Sequence, residues 1–161
     1  MLSASDRQQL DAFNKKVASL TRAMNAAESY KGELAGKLPY LNKAVLEGSA
    51  VSSTALETLL KIQKKMELFD RKVNGDPLRA RYEGSSPASL SGRINQISGD
   101  LWGTTAMPTT TFTQSYEIVA DQFSDVLILL GDIEKDVKSV EAMLEKSGAP
   151  YTPGRLPVWN K

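Results

Sequence analysis

Neither cysteine nor histidine occurs anywhere in the chain. Their absence excludes disulfides, thiolate nucleophiles, Cys/His zinc sites and imidazole base catalysis. It also removes the ferritin-like option for long helices, since di-iron bundles need inward-facing Glu-x-x-His motifs. Aromatic residues make up only 7% of the 161 residues. No apolar run approaches the roughly 18 residues of a membrane span. The N-terminus, Met1-Leu2-Ser3-Ala4-Ser5-Asp6, has no apolar signal core, so the chain as written predicts no export of its own. Charge of one sign is missing too, the formal net charge being +1. Up to and including Glu83 there are 14 Lys/Arg against 10 Asp/Glu, and beyond it 6 against 9. That asymmetry supplies no concentrated basic face, and nucleic acid is not expected as a partner. The glycines are scattered, and none stands in a Gly-x-x-x-x-Gly-Lys arrangement that would cradle phosphates.

What is present is helical periodicity. With 41% hydrophobic and 24% charged residues the composition is globular. From Leu10 the apolar positions run Phe13, Val17, Leu20, Met24, Ala27, Leu34, Leu38, Leu41 and Val45, at alternating spacings of three and four. Only Lys31 interrupts the phase, which passes through Pro39, so the pattern predicts one long helix kinked near Gly36 to Pro39. Ser5 or Asp6 is the expected N-cap. Gly48 to Ser53 reads as a turn, and Thr54 with Glu57 as a capping box. A second helix follows with Ala55, Leu59, Ile62, Met66, Phe69 and Val73, closed by Asn74-Gly75. Asp76-Pro77 restarts a short turn of helix, and Glu83 to Pro87 is the expected linker.

A third, shorter helix carries Leu90, Ile94, Ile97 and Leu101. Gly103 to Thr110 breaks it, and Thr111 with Gln114 reads as another capping box. The fourth helix has the cleanest stripe, from Phe112 and Tyr116 through Val119, Phe123, Val126, Leu130, Ile133, Val137 and Val140 to Leu144. Gly148 and Pro150 stop it. The first and fourth helices each span on the order of 50 Å. The expected fold is therefore all-α, an up-and-down four-helix bundle over 1–150. Two long helices would pack against two shorter ones stacked roughly end to end. Residues 151–161 form an extended C-terminal tail.

Chemistry would have to come from carboxylates, hydroxyls, lysines and tyrosines. Asp121 with Asp125 and Asp132 with Asp136 lie one turn apart, a spacing that suits a metal or an acid–base pair. They fall off the apolar stripe and read as the solvated face of a charged helix. Glu134 and Lys138 read as surface support at i,i+4. No catalytic residue, metal ligand or cofactor is expected. The candidate interaction residues are four. Trp102 could close the end of the bundle. Arg155, Leu156 and Trp159 stand on the Pro-rich tail, where an aromatic and an arginine are the residue types that anchor interfaces. Such a tail either folds back or docks elsewhere.

One set of residues carries a family likeness. It comprises Asn74-Gly75-Asp76-Pro77 with Arg81 and Glu83, Ser86-Pro87, Arg93-Ile94, Trp102-Gly103, Pro108-Thr109, Thr113-Gln114 and Ala149-Pro150-Tyr151-Thr152-Pro153-Gly154-Arg155-Leu156-Pro157. In this order they resemble the C-terminal helical region of bacterial sortilin-like, BNR-repeat proteins described as glycosyl hydrolases. The resemblance covers the second half of the chain; the first half shares only the helical pattern. In that family any activity would belong to a β-propeller preceding the helices, with repeats carrying a Ser-x-Asp-x-Gly-x-Thr-Trp box. No such box exists here, so no catalytic residue is carried over. The resemblance implies an excised C-terminal domain of an exported protein, periplasmic or extracellular, with Met1 supplied for expression. The partner it implies is the parent's propeller. Self-association through the heptads and a carbohydrate-active fragment are the alternatives.

Overall fold

A computed structural model of the chain describes residues 3–48, 53–84, 88–103 and 106–161, without the side chain of Trp102. The fold is an all-helical bundle: 83% of the described residues are helical and none lies in a strand. Five helices follow in order, α1 (Ala4–Glu47), α2 (Ser53–Asn74), α3 (Pro77–Glu83), α4 (Leu90–Gly103) and α5 (Thr110–Ser147). The two long helices are α1 and α5, and α1 runs through Pro39 without interruption.

The ends are set by side chains that satisfy amides no helical carbonyl reaches. Ser3 and Asp6 cap α1 reciprocally, the Asp6 N–H donating to Ser3 Oγ at 3.1 Å and the Ser3 N–H to Asp6 Oδ2 at 3.2 Å. The cap thus precedes the expected Ser5 or Asp6, with Asp6 serving as the return acceptor. At the start of α2 the helix already includes Ser53, so Thr54 is a first-turn residue. Its carbonyl accepts from the Thr58 hydroxyl at 2.8 Å. The rest of the expected turn, 49–52, lies outside the described residues. Ser89 caps α4, accepting from the Gly92 N–H at 3.0 Å. Thr109 caps α5 through Phe112 at 3.3 Å, two residues before the expected Thr111. Asp76, Pro77 and the left-handed Gly75 and Gly84 behave as their residue types predict. At the end of α5 the Ala149 N–H reaches Leu144 O and the Gly148 N–H reaches Glu145 O, with Gly148 at φ +65°. This is a Schellman ending, which reverses the chain.

Contacts divide the chain into two compact units. In Met1–Ala27 with Phe69–Ile128, α1 buries Phe13, Val17, Met24 and Ala27, and the end of α2 buries Phe69 and Val73. Leu90, Ile94 and Ile97 come from α4, and Val119, Phe123 and Val126 from α5. Phe13 meets Tyr116 edge to face, their centroids 5.8 Å apart. In Glu28–Leu68 with Leu129–Lys161, α1 buries Leu34, Leu38, Leu41, Ala44 and Val45. There α2 adds Ala55, Leu59, Ile62 and Met66, and α5 adds Leu130, Ile133, Val137, Val140 and Leu144. Apart from Ala44 these residues lie on the stripes read from the periodicity, of which Leu10, Leu20, Leu101, Phe112 and Tyr116 are only half-buried. Each fully buried aliphatic or aromatic side chain contributes roughly 1.5–3 kcal/mol over its exposed state. Lys31, the interruption of the α1 phase, is half-buried.

Candidate functional site

Several acidic residues of the C-terminal half of α5 have partners on other elements, whereas Asp132 pairs within the helix, with Lys135 at 3.9 Å. Tyr30 of α1 donates its hydroxyl to Glu134 Oε1 at 2.8 Å, and Lys138 donates to the same oxygen at 2.8 Å. Lys65 of α2 pairs with Asp136 at 2.6 Å, and Lys37 of α1 with Glu141 at 3.2 Å. Asp136 is therefore a half-buried cross-helix partner rather than a solvated carboxylate, which corrects the reading of the Asp132–Asp136 pair. Glu134, likewise, does more than surface support. Asp121 and Asp125 are exposed as expected. Among the described residues no group of three or more Asp or Glu side chains is placed to hold a metal ion.

The Tyr30–Glu134–Lys138 cluster shifts three titrations. The Lys138 hydrogen bond, then that of Tyr30, holds the Glu134 carboxyl below its ordinary 4.5. The bond to Glu134, with some burial, raises the Tyr30 phenol above 10.0, and the same carboxylate raises the Lys138 ammonium. A depressed carboxylate contributes stability above its unfolded pKa that is lost as pH falls through the folded value. A raised phenol contributes below its unfolded pKa and loses this as pH rises through the folded value. Glu134→Gln is therefore expected to lower the urea midpoint by a constant amount between pH 6 and 9, with the difference from the parent chain shrinking below pH 4.5. An equal deficit at pH 3 and pH 7 would show that the carboxylate charge plays no part.

The C-terminal tail is built on the reversal after α5. Glu145, in the last turn of that helix, receives the Tyr151 hydroxyl on Oε1 at 3.2 Å and the Arg155 guanidinium on Oε2. Arg155 lies over the Tyr151 ring, its Cζ 5.0 Å from the centroid, and only 7% of its side chain is exposed. The Val158 N–H donates to the Tyr151 oxygen at 3.0 Å, which ties the far end of the tail to the same phenol. Thr152 is buried, and the Arg155 N–H donates to its carbonyl at 3.3 Å across a turn. Gly154 permits that turn: it sits at φ +85°, and a Cβ there would come within 3.2 Å of the Lys37 side chain. Thr152 Oγ1 and Arg155 Nη1 are buried without a protein partner, which subtracts from what the clamp contributes.

The four sequence candidates consequently have different fates. Arg155 turns inward and holds the tail. Leu156 and Trp159 point away from the protein, 87% and 86% exposed, with Val158 exposed between them. Trp102 belongs to the last turn of α4, and its side chain lies outside those described. Sequence reading missed Tyr151 and Thr152. Their signal was faint, a lone tyrosine and threonine beside prolines, because their partners lie across a chain reversal. A recess of about 700 Å³ lies between α1 and α4. Asn14, Val17, Ala18, Thr21, Arg22, Asn25, Ser98 and Leu101 line it. Among the described residues that line it, Arg22 is the one ionisable side chain. No helix among the described residues is long and apolar enough to cross a membrane.

Fold and geometry together define the class: an all-α helical bundle whose C-terminal segment is clamped to its last helix and presents apolar side chains. Comparison with family models, curated proteins and solved structures finds no match for the chain.

Proposed function

We propose that the chain is a non-catalytic helical interaction domain, the C-terminal piece of a larger exported propeller protein of the glycosyl-hydrolase-like class. The observation that carries this is the tail. Tyr151, Thr152 and Arg155 fix its near half, while Leu156, Val158 and Trp159 are left in solvent. Ordering a segment costs conformational entropy, and three exposed apolar groups return none of it within the chain. A fixed, solvent-facing Trp–Leu pair is what a docking anchor requires, since aromatic residues dominate interface energetics. The likeness to sortilin-type proteins supports the propeller as the surface that receives it. Several residues carrying that likeness, Gly75, Asp76, Thr109, Gly154 and Arg155, are the ones that cap helices or shape the tail.

The test is calorimetric titration of the chain against a recombinant Asp-box β-propeller of that family. Removing Leu156–Lys161 is expected to weaken binding at least tenfold while leaving the helical circular dichroism intact. Unchanged affinity would eliminate the docking tail. Turnover of glycan substrates by the isolated chain would replace this reading with an enzymatic one. Self-association is a second reading, favoured by Leu56 and Leu60, both exposed and one turn apart on α2. A strict monomer in sedimentation across a concentration series would remove it.

A further inference from the structure

The strip of α1 that meets the recess beside α4 is built from short and polar residues. At 3.6 residues per turn Asn14, Ala18, Thr21 and Asn25 share one face, which runs about 16 Å along the helix. Buried Val17 borders that face on one side and Arg22 on the other. From α4 come Ser98 and Leu101, one turn apart. Packed helices normally interdigitate bulky aliphatic side chains and leave few voids. Here Ala18 and Ser98 are too short to do so, and about 700 Å³ remains. Small-molecule pockets occupy roughly 300–1,000 Å³. The lining residues all belong to the unit formed by Met1–Ala27 and Phe69–Ile128.

The polar groups of this recess are all donors or neutral. Arg22 makes no hydrogen bond or ion pair among the described residues, and neither do Asn14, Asn25 and Ser98. Thr21 differs, its hydroxyl donating to Val17 O at 2.8 Å. Asp11 pairs with Lys15 at 2.7 Å, and Asp100, which has an interaction of its own, does not line the recess. One uncompensated cation therefore stands at the edge of an apolar floor made by Val17, Ala18 and Leu101.

We propose that this recess binds a long-chain carboxylate, an amphiphile of the fatty-acid class, with its head group on Arg22 and its alkyl chain along that floor. A planar guanidinium takes a carboxylate through two parallel N–H···O bonds. The amide of Asn25, three residues on and thus adjacent on the helix surface, supplies a further donor. The charges decide between anions: one arginine matches a carboxylate, whereas a phosphate monoester near −2 would be left half compensated. An uncharged apolar ligand would gain nothing from the guanidinium. The recess is independent of the tail, and either can fail without the other.

The test uses the full chain, 15N-labelled, titrated with sodium dodecanoate below its micellar concentration. Acetate, which has the head group alone, and dodecyltrimethylammonium, which has the same chain with the opposite charge, are the controls. Dodecanoate should shift amides within 14–25 and 98–101 and saturate, and neither control should. Octanoate should bind more weakly, by about fourfold for each methylene no longer buried. Arg22→Gln should weaken dodecanoate about tenfold or more, with no change in Tm, because Arg22 is exposed and without a partner among the described residues. Ala18→Leu, at an exposed helical position, should fill the recess and abolish binding while the helical circular dichroism is unchanged. An equal response to the cationic control would mean an apolar hole without head-group selection and would overturn the proposal. So would unchanged affinity in Arg22→Gln, no response to dodecanoate, or shifts centred elsewhere. Concentration-dependent shifts along 14–25 without ligand would assign the recess to a second copy and overturn it as well.

Discussion

Replacing Phe69 by alanine is expected to destabilise the protein by about 3–5 kcal/mol and to lower Tm by about 10 °C or more. Phe69 is fully buried near the C-terminal end of α2, the largest side chain among the described residues with no appreciable exposure. Truncation removes apolar surface and leaves a cavity that helices on both sides cannot collapse without breaking their own packing. The neighbouring Leu68, one residue back and thus about 100° around the helix, is substantially exposed. Leu68→Ala is expected to cost well under half as much as Phe69→Ala. The measurement is the urea midpoint of each variant, compared at unchanged slope. Equal midpoints for the two would mean that the apolar stripe does not set the core.

The second large effect runs the other way. Pro39→Ala is expected to stabilise the protein by about 2 kcal/mol, the net of two opposing terms. Proline in a helix interior has no N–H for the carbonyl four residues back, here Ala35, and its ring crowds that carbonyl, at a cost near 3 kcal/mol. Alanine restores the bond, and at this exposed position it removes no packing. Proline's restriction of the unfolded chain offsets about 0.4–1 kcal/mol of the gain. A rise in the urea midpoint checks the prediction. A fall would show that the local backbone at Pro39 aims Leu41 and Val45, both buried, into the core. The helix would then tolerate its missing bond for the sake of that alignment.

Much of the fold was legible because one geometric rule governs it. A helix repeats every 3.6 residues, so alternate spacings of three and four must fall on one face. Val119 through Leu144 on α5 and Ala55 through Val73 on α2 are buried at the positions this rule names. Ala44 was missed because a small residue beside the stripe carries little periodic signal, although it too is buried. The caps at Ser3 and Thr109 were misplaced for a different reason. Each lies in a run of Ser, Thr or Asp any of which can accept from an amide, and the packing of the following turn selects among them.

The site was less legible. Lys65 and Asp136 are 71 residues apart, and their pairing follows only once α2 and α5 are side by side. Arg155 reads in sequence as a free anchor because nothing nearby in the tail is acidic. Its carboxylate, Glu145, comes within reach only after the Schellman turn sends the chain back along α5. Leu156 and Trp159 were nameable from composition alone, but not the phenol of Tyr151 that fixes where they point.

The Tyr30–Glu134–Lys138 cluster has one more consequence. Each of its three shifts moves a titration away from neutrality, the Glu134 carboxyl downward and the Tyr30 phenol and Lys138 ammonium upward. The chain also lacks both side-chain types that ordinarily gain or lose a proton between pH 6 and 9. None of the three groups in the cluster therefore changes charge near pH 7. The contact that Tyr30 makes from α1 to Glu134 of α5, reinforced by Lys138, thus keeps its charges on both sides of neutrality, and the two helices stay joined there through a hydrogen bond that a change of buffer near pH 7 does not touch.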